Sequence, residues 1–382
     1  MICPLSLIIF FYGGFKMDIN DSVTVGIYRS HGGENNCIKD MLVNPNIGPL
    51  FYLSKQFDID LCLIHPYTID MDNNTVEANF LLSDNSEIRK TITIPKIIES
   101  QIVTNNTIKQ CFDTLSESNH YIINYNIIHD KKIIYDRLSN GSKFKDILIP
   151  TYDIRSIDDI FVYLKEYNPI IIKPKNSGMG YKIIYISEHI DNNQNTSYEV
   201  VYDNTKYQYD RTKFIEFYKS YCSDECFILQ PYIQSRTKDN RPYTIRIYSH
   251  KGINGRYKSW YFVWIPDRVD YNGSGRQDGE QRYLNIFLQL QYPNDWKTIY
   301  DEFISIGDKF PQYYQSLFKN FDIAEMGLDM GIQKLSNGKY EIKLYEVNTP
   351  AGITNLFPIT VQVCKTYCDY FKYLYNTKVM KG

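Results

Sequence analysis

The chain has 382 residues, of which 43% are apolar, so it can form two or three packed units with sizeable cores. Its formal net charge of −2 provides no overall field that would favour nucleic acid or an anionic membrane as a partner. The apolar run from Leu5 to Tyr12 is shorter than the roughly 20 residues of a transmembrane helix, and it lacks the basic start and the Ala-x-Ala-like site of a signal peptide. We therefore expect a cytoplasmic protein without a membrane segment, with residues 1–16 as an N-terminal extension.

Eight cysteines are present, and two pairs of them have the spacing i, i+4: Cys222 with Cys226, and Cys364 with Cys368. In a chain of this length they do not resemble the disulfide framework of a small secreted protein. Two such pairs could hold zinc, but neither contains a histidine, and one face of a helix produces the same spacing. We favour buried or surface thiols over a zinc site.

The first third of the chain combines β-branched runs with one helical pattern. Strands are predicted for residues 23–28, 57–64, 77–82 and 91–95. Apolar residues at helical spacing predict a helix over 107–118. Together these elements predict a small α/β domain over residues 17–124, in which we find no motif with a chemical role.

The next segment places a glycine-containing loop between two strands. Helices are predicted over 130–138 and 156–167, and strands over 147–151, 169–174 and 181–186. The last two strands are joined by Lys175–Gly180, whose backbone N–H groups could cradle a phosphate. The spacing and the missing helix exclude a Walker A loop, and a plain hairpin turn is the alternative.

The C-terminal half is rich in predicted strands. They cover residues 226–233, 241–248, 258–265 and 283–290, with one or two helices over 296–318 and a closing helix over 361–375. In the second of these strands the period of two places Thr244 and Arg246 on one face and Tyr243 and Ile245 on the other.

The segment from Glu325 to Asn348 predicts a β-hairpin, because Asn337-Gly338 lies between two apolar-rich runs. Alternation would direct Glu346 and Asn348 to one face, and Asp329 on the partner strand can face them. Two carboxylates and an amide oxygen would suit a hard cation such as Mg²⁺. The alternative is a solvated strand face with scattered acids.

These features are degenerate one by one, but their order is informative. They are Lys131, Tyr135, Leu138, Ile149–Thr151, Ile172–Pro174 before the glycine loop, Leu229–Ile233, Arg241–Arg246, Arg268, Asn285, Ala324–Asp329 and Glu346–Asn348. In this order they resemble the ATP-grasp superfamily and, within it, the YheC/YheD-like group of endospore-coat-associated proteins. The resemblance spans roughly residues 125–352.

The resemblance implies an α+β / α/β protein with an ATP-grasp fold, in which two α+β subdomains clamp ATP behind a small N-terminal α/β domain. The ATP-grasp domain would cover residues 125–376. Residues 125–233 would include the lid subdomain with the glycine loop, and residues 234–376 would form the C-terminal subdomain with the metal site.

The resemblance also implies roles for the matching residues. The nucleotide would be contacted by Lys131, Lys173, the loop residues Ser177, Gly178, Met179 and Gly180, and the adenine-reading segment Gln230, Pro231, Tyr232 and Ile233. Arg246 and Arg268 would act on the transferred phosphate. Mg²⁺ (or Mn²⁺) would be held by Asp329, Glu346 and Asn348. Thr244 and Gln230 depart from the family pattern, since many relatives carry an acid at both positions.

The resemblance to the ATP-grasp superfamily implies an ATP-dependent ligase that joins a carboxylate to an amine (or thiol) through an acyl phosphate. A small-molecule kinase on the same scaffold and a nucleotide-binding coat protein without catalysis are the alternatives. Candidates for the acceptor pocket, at the junction with the N-terminal domain, are Arg29, His31, Trp264 and Arg282. The substrates and the oligomeric state, a homodimer included, are left open.

Overall fold

The computed structural model describes residues 23–29, 38, 42, 48–100, 103, 105–125, 127–141, 143–176, 182–203, 205–222, 226–267 and 279–381. Within them the chain forms three sheets of six, six and five strands, with helices packed on their faces. None of the described helices has both the length and the apolar character needed to cross a membrane.

The first sheet is mixed, with strand order β4-β3-β2-β1-β5-β6. Its elements are β1 Val23–Tyr28, α1 Gly48–Gln56, β2 Ile59–Ile64, β3 Thr75–Leu81, β4 Glu87–Thr93, β5 Ile97–Ser100, α2 Asn106–Glu117 and β6 Tyr121–Ile123. The strands β2, β1, β5 and β6 run parallel, and β3 and β4 form an antiparallel extension. The carboxyl ends of the parallel strands therefore share one edge of the sheet.

The second sheet is antiparallel, with strand order β11-β10-β9-β8-β12-β7. Its elements, after α3 Lys131–Asn140, are β7 Tyr152–Asp153, α4 Ile157–Tyr167, β8 Ile170–Pro174, β9 Ile184–Ile190, β10 Thr196–Tyr202, β11 Thr205–Tyr209, α5 Arg211–Cys222 and β12 Phe227–Pro231. Ser156 and Asp159 form a capping box, which satisfies N–H groups at the start of α4. The apolar face of α4, with Ile160 and Leu164, packs into the core of this sheet.

The third sheet is antiparallel, with strand order β15-β14-β13-β16-β17. Its elements are β13 Thr244–Lys251, β14 Tyr257–Pro266, β15 Gly279–Tyr283, α6 Leu284–Gln291, α7 Trp296–Leu317, β16 Glu325–Lys334, β17 Tyr340–Asn348 and α8 Phe357–Leu374. One face packs on α6 and α7 through residues such as Ile245 and Leu328. The other face packs through Tyr248 and Trp260 on α8 and on the first sheet.

Two sequence predictions were wrong in these regions. Residues 283–290 were expected to form a strand, but Leu284–Gln291 is a helix whose buried residues Leu284, Phe287 and Leu288 have helical spacing. The strand expected at 147–151 is instead a short 3-10 turn, a single bridge from Leu148 to Leu344, and then β7. Short apolar runs do not distinguish helix from strand unless their contacts are known.

The predicted hairpin forms, although its turn differs from a two-residue type. Leu335 N–H donates to Lys339 O at 2.8 Å, and Gly338 N–H donates to Leu335 O at 3.0 Å. Gly338 has φ of +80°, whereas Asn337 is not among the positive-φ residues. Asn337 instead accepts the Lys339 N–H through its side chain at 3.0 Å. The glycine therefore supplies the left-handed conformation and the asparagine supplies a hydrogen bond.

Candidate active site

The site is built on one face of the third sheet, where three strands bring charged residues into one row. In the register of the sheet, Arg246 on β13 pairs with Asp329 on β16, and Asp329 pairs with Glu346 on β17. Directly paired residues of antiparallel strands project to the same face. The structure therefore brings together Asp329, Glu346 and Asn348, as the hairpin pattern predicted, and adds Arg246 to them.

Arg246 holds Asp329 through both of its carboxylate oxygens. Nε donates to Oδ1 and Nη2 donates to Oδ2, each at 2.7 Å, while Nη1 donates to Gly352 O at 3.2 Å. Burial raises the pKa of Asp329 and the neighbouring Glu346 charge raises it further, so Arg246 only partly offsets these effects. The fork-to-fork geometry fixes the orientation of Asp329 in the row.

Asn348 links the two carboxylates. Its Nδ2 donates to Asp329 Oδ2 at 2.9 Å and to Glu346 Oε1 at 3.1 Å. Rotation of this amide about its last torsion would present Oδ1 in the same place, and the three side chains would then form an all-oxygen set. Two carboxylates and a carbonyl oxygen are donors that Mg²⁺ accepts, so these residues fit such an ion. Within the described residues, no cluster of three or more His, Cys, Asp or Glu side chains forms another candidate metal site.

Two lysines from elsewhere in the chain lie near this row. Lys173, at the end of β8, is 5% exposed, and its Nζ donates to Tyr345 O at 2.8 Å. The pKa of Lys173 is lowered to about 8, chiefly by burial and also by the charge of Lys131, while the charge of Glu346 opposes this lowering. Lys131, at the start of α3, donates to Pro174 O at 3.4 Å. Burial would raise the pKa of Glu346, but Lys173 and Lys131 outweigh it and the pKa is lowered.

A β-bulge in β17 makes the contact with Lys173 possible. The register shifts between Asp329, which pairs with Glu346, and Met330, which pairs with Leu344, so Tyr345 is the extra residue. Its carbonyl oxygen accepts from Lys173 and from Tyr135 Oη, the latter at 2.5 Å. The bulge therefore joins the second sheet, α3 and the third sheet at one carbonyl group.

The sequence carried a signal for this bulge that strict alternation misses. The buried apolar residues of β17 are Ile342, Leu344 and Val347, so the spacing changes from two residues to three. The Tyr345 side chain then lies over Gly331 and donates to Ser235 Oγ at 2.6 Å. A Cβ on Gly331 would lie 1.8 Å from Tyr345 Oη, so a side chain at that position would displace the tyrosine.

The predicted adenine-reading segment follows β12. Gln230 is 4% exposed and donates through Nε2 to Thr151 Oγ1 at 2.8 Å. Tyr232 N–H donates to Pro169 O at 3.0 Å, and Pro231 pairs with Ile170 at the end of the strand. Gln230 is therefore held by the protein, and its side chain spans from β12 to the segment before β7.

The remaining predicted site residues have different outcomes. Ser177, Gly178, Met179, Gly180, Arg268 and His31 lie outside the described residues. Arg29 forms an ion pair with Glu99 of the first sheet. Arg282 pairs with Val263 in the register, whereas Trp264 pairs with Gln281, so Arg282 and Trp264 project to opposite faces. The structure therefore separates two of the acceptor-site candidates.

The cysteine pairs also differ from each other. Cys364 and Cys368 are buried on α8, where the i, i+4 spacing reflects one helix face. Cys222 is buried at the end of α5, but Cys226 is exposed and lies after that helix. A shared helix face therefore explains the spacing of Cys364 and Cys368 but not that of Cys222 and Cys226.

Comparison with known proteins gives the family. A family model described as YheC/D-like ATP-grasp matches residues 119–374. Among solved structures, the D-alanyl-alanine synthetase A of Vibrio cholerae is similar with a TM-score of 0.53 and 12% identity, covering 94% of this chain and 99% of that one. The ATP-grasp ligase PsnB, complexed with a minimal precursor, is similar with a TM-score of 0.52 and 11% identity, covering 92% and 99%.

At these identities the two solved structures show the fold alone, and they confirm the predicted α+β ATP-grasp architecture. No curated protein matches the sequence. The family model covers more than half of the chain and agrees with the resemblance inferred from the residues. The chain belongs to the YheC/D-like ATP-grasp family.

Proposed function

We propose that this protein is an ATP-dependent ligase that joins a carboxylate to an amine (or thiol) through an acyl-phosphate intermediate. The observation that carries the proposal is the row of Asp329, Glu346 and Asn348, which lies beside the buried amino group of Lys173. Oxygen ligands next to buried lysines suit a phosphate chain and its divalent cation.

Each group has a proposed task in binding. Lys131 and Lys173 would neutralise charge on the phosphates, and the Gln230–Ile233 segment would contact adenine through its backbone. Asp329, Glu346 and Asn348 would hold Mg²⁺ (or Mn²⁺), which when bound would neutralise phosphate charge. Ser177–Gly180 and Arg268 remain proposed phosphate contacts from the sequence.

The proposed reaction requires the protein mainly to position the reactants. A carboxylate oxygen of the substrate attacks the γ-phosphorus of ATP, the bond to the β-phosphate oxygen breaks, and ADP leaves. The amine then attacks the acyl carbon, inorganic phosphate leaves, and the amine loses a proton to form the amide. Neither step requires a nucleophile from the protein, and alignment of the reactants supplies much of the rate.

Arg246 has two tasks in this proposal. Its Nε and Nη2 hold Asp329, so it orients a proposed metal ligand. Its Nη1, which does not contact Asp329, donates to the backbone carbonyl of Gly352, and the second N–H of Nη1 is the donor proposed for the γ-phosphate. A lysine could not perform both tasks, because it lacks the planar fork.

Calorimetry with Mg²⁺ and ATP tests the nucleotide site, and product analysis with a panel of carboxylates and amines tests the reaction. We expect the wild-type protein to bind Mg-ATP and Asp329→Asn to bind it more than about 100-fold more weakly. Losing a residue that binds the metal directly weakens metal affinity more than losing a residue that only orients such a ligand. Glu341→Gln, which changes an exposed acid on the neighbouring strand β17, is the matched control.

Absence of Mg-ATP binding by the wild type, or unchanged binding by Asp329→Asn, would contradict the proposal. A stable phosphorylated product with no amide would indicate a small-molecule kinase instead.

A further inference from the structure

We propose that Trp264 and Gln281 form a subsite that binds a carboxylate at the non-reacting end of the substrate. The inference rests on the proposed function, since it names a chemical feature of the substrate for the same site. Its basis is a pair of buried N–H donors whose side chains lie on the same sheet face as Arg246 and which have no partner among the described residues.

The first step is the position of the pair. Thr244 on β13 pairs with Trp264 on β14, and Trp264 pairs with Gln281 on the edge strand β15. These three side chains form a row on one face of the sheet. Arg246 lies two residues from Thr244 on the same strand and shares that face, so the two rows are about 7 Å apart.

The second step is the orientation of the Gln281 amide. Its Oε1 accepts from the backbone N–H of Asn355 at 2.8 Å and from the hydroxyl of Thr354. A backbone N–H can only donate, so the oxygen must be on that side and the amide cannot be reversed. Nε2 is therefore directed away from the Thr354–Asn355 segment, and it is buried without a partner in the described structure.

The third step is the contrast between two tryptophans of β14. Trp260 lies on the same face, four residues away, and its Nε1 donates to Gln362 Oε1 at 3.0 Å. The Nε1 of Trp264 is also buried but lacks an acceptor among the described residues. An indole N–H is a donor only, so burial without an acceptor destabilises the protein unless a ligand supplies one.

The fourth step is the class of ligand. Two neighbouring N–H donors match a group with two acceptor oxygens, and a carboxylate makes stronger hydrogen bonds than a neutral carbonyl. The spacing of the rows lets a substrate place its reacting group near Arg246 and a second carboxylate near Trp264 and Gln281. An amino-acid-like or peptide substrate with a free carboxylate meets this description. Both nitrogens are shielded from bulk solvent, so we expect binding to move the groups that cover them.

The test follows the indole signals of the full-length ¹⁵N-labelled protein. The chain has three tryptophans, so three indole signals are expected, and Trp264→Phe and Trp260→Phe assign two of them. Sodium N-acetylglycinate is the probe, and N-acetylglycinamide is its uncharged control. We expect the carboxylate to move the Trp264 indole proton downfield while the Trp260 signal stays in place.

Gln281→Glu should weaken this response about tenfold or more, because the donor is replaced by an oxygen that repels a carboxylate. If that variant fails to fold, the wild-type titration with the carboxylate and the amide still tests the subsite. A Trp264 signal that ignores the carboxylate, or moves equally with the amide, would overturn the subsite.

Calorimetry with Mg-ATP on the same sample separates the two proposals. A Trp264 response without nucleotide binding would remove the proposed function and leave a carboxylate subsite. Nucleotide binding without a Trp264 response would remove the subsite and leave the function.

Discussion

Asp329 and Glu325 are acids of the same strand, β16, and lie an even number of residues apart on one face, yet their surroundings differ. Asp329 is held by the guanidinium of Arg246 and lies in a row with Glu346. Glu325 accepts hydrogen bonds from the hydroxyls of Tyr248 and Tyr367, and it has no salt bridge within the described part of the chain. One acid is therefore compensated by cations and the other by neutral donors.

The surroundings determine what each acid can do. Burial and, to a smaller extent, the charge of Glu99 near the end of β5 together raise the pKa of Glu325 to about 7. Tyr367 lies on α8, so Glu325 joins the first sheet, the third sheet and a helix. The row of Asp329 instead meets the second sheet through Lys173. The same face thus carries a structural acid at one end and a candidate ion site at the other.

The largest expected effect concerns the contribution of Glu325 to the pH dependence of the free energy of unfolding. Its pKa is raised from 4.5 in the unfolded chain to about 7 in the fold. The protonated form is therefore favoured by folding, and this stability is complete below the unfolded pKa and lost as pH rises through the folded one. The loss is on the order of 3 kcal/mol.

Glu325→Gln should remove that loss, since an amide cannot ionise and can still accept from the tyrosines. Urea unfolding at pH values between the unfolded and the folded pKa of Glu325 measures the free energy of unfolding of both proteins. Glu341→Gln, which changes an exposed acid, is the control. Equal pH profiles for wild type and Glu325→Gln would show that Glu325 stays in one protonation state and would weaken the contrast with Asp329.

The next effect concerns the cation that compensates Asp329. Arg246→Met should lower the free energy of unfolding by about 2–3 kcal/mol, because it leaves a mostly buried carboxylate unpaired. Added Mg²⁺ should restore part of this loss if the row binds the ion. Arg241→Met is the matched control, since Arg241 is similarly exposed but pairs with the more exposed Asp239 and Glu280.

Thermal unfolding with and without Mg²⁺ measures both variants. The same stability change for Arg246→Met and Arg241→Met would mean that Asp329 does not depend on its partner.

The smallest effect is on the hydrogen bonds of Glu325. Tyr367→Phe should cost about 1 kcal/mol and raise the pKa of Glu325 further, because this hydroxyl donates to the ionised carboxylate. The pH-dependent loss of stability should then move to higher pH. Tyr370→Phe, which removes a hydroxyl bound to Asp322 from the same helix, should leave that pH range unchanged. If the pH range of the stability loss moved equally in both variants, the loss would not come from the ionisation of Glu325.

Sequence patterns predicted the elements that depend on neighbouring residues. The capping box at Ser156, the strand that ends at Pro174 and the hairpin of β16 and β17 all follow from spacings of a few residues. Prediction failed at Leu284–Gln291, because a short apolar run is compatible with both a helix and a strand. The bulge at Tyr345 was missed although the apolar spacing of β17 indicates it.

By itself the sequence determined the family and the fact that Asp329, Glu346 and Asn348 share a strand face, because the period of a strand fixes which side chains project together. Only the tertiary structure decided which acid meets which partner. Glu325 and Asp329 are alike in type, strand and face, but Arg246, Lys173 and Tyr367 reach them from distant parts of the chain. Local periodicity extends over a few residues, whereas compensation of a buried charge depends on groups brought close by packing of the three sheets.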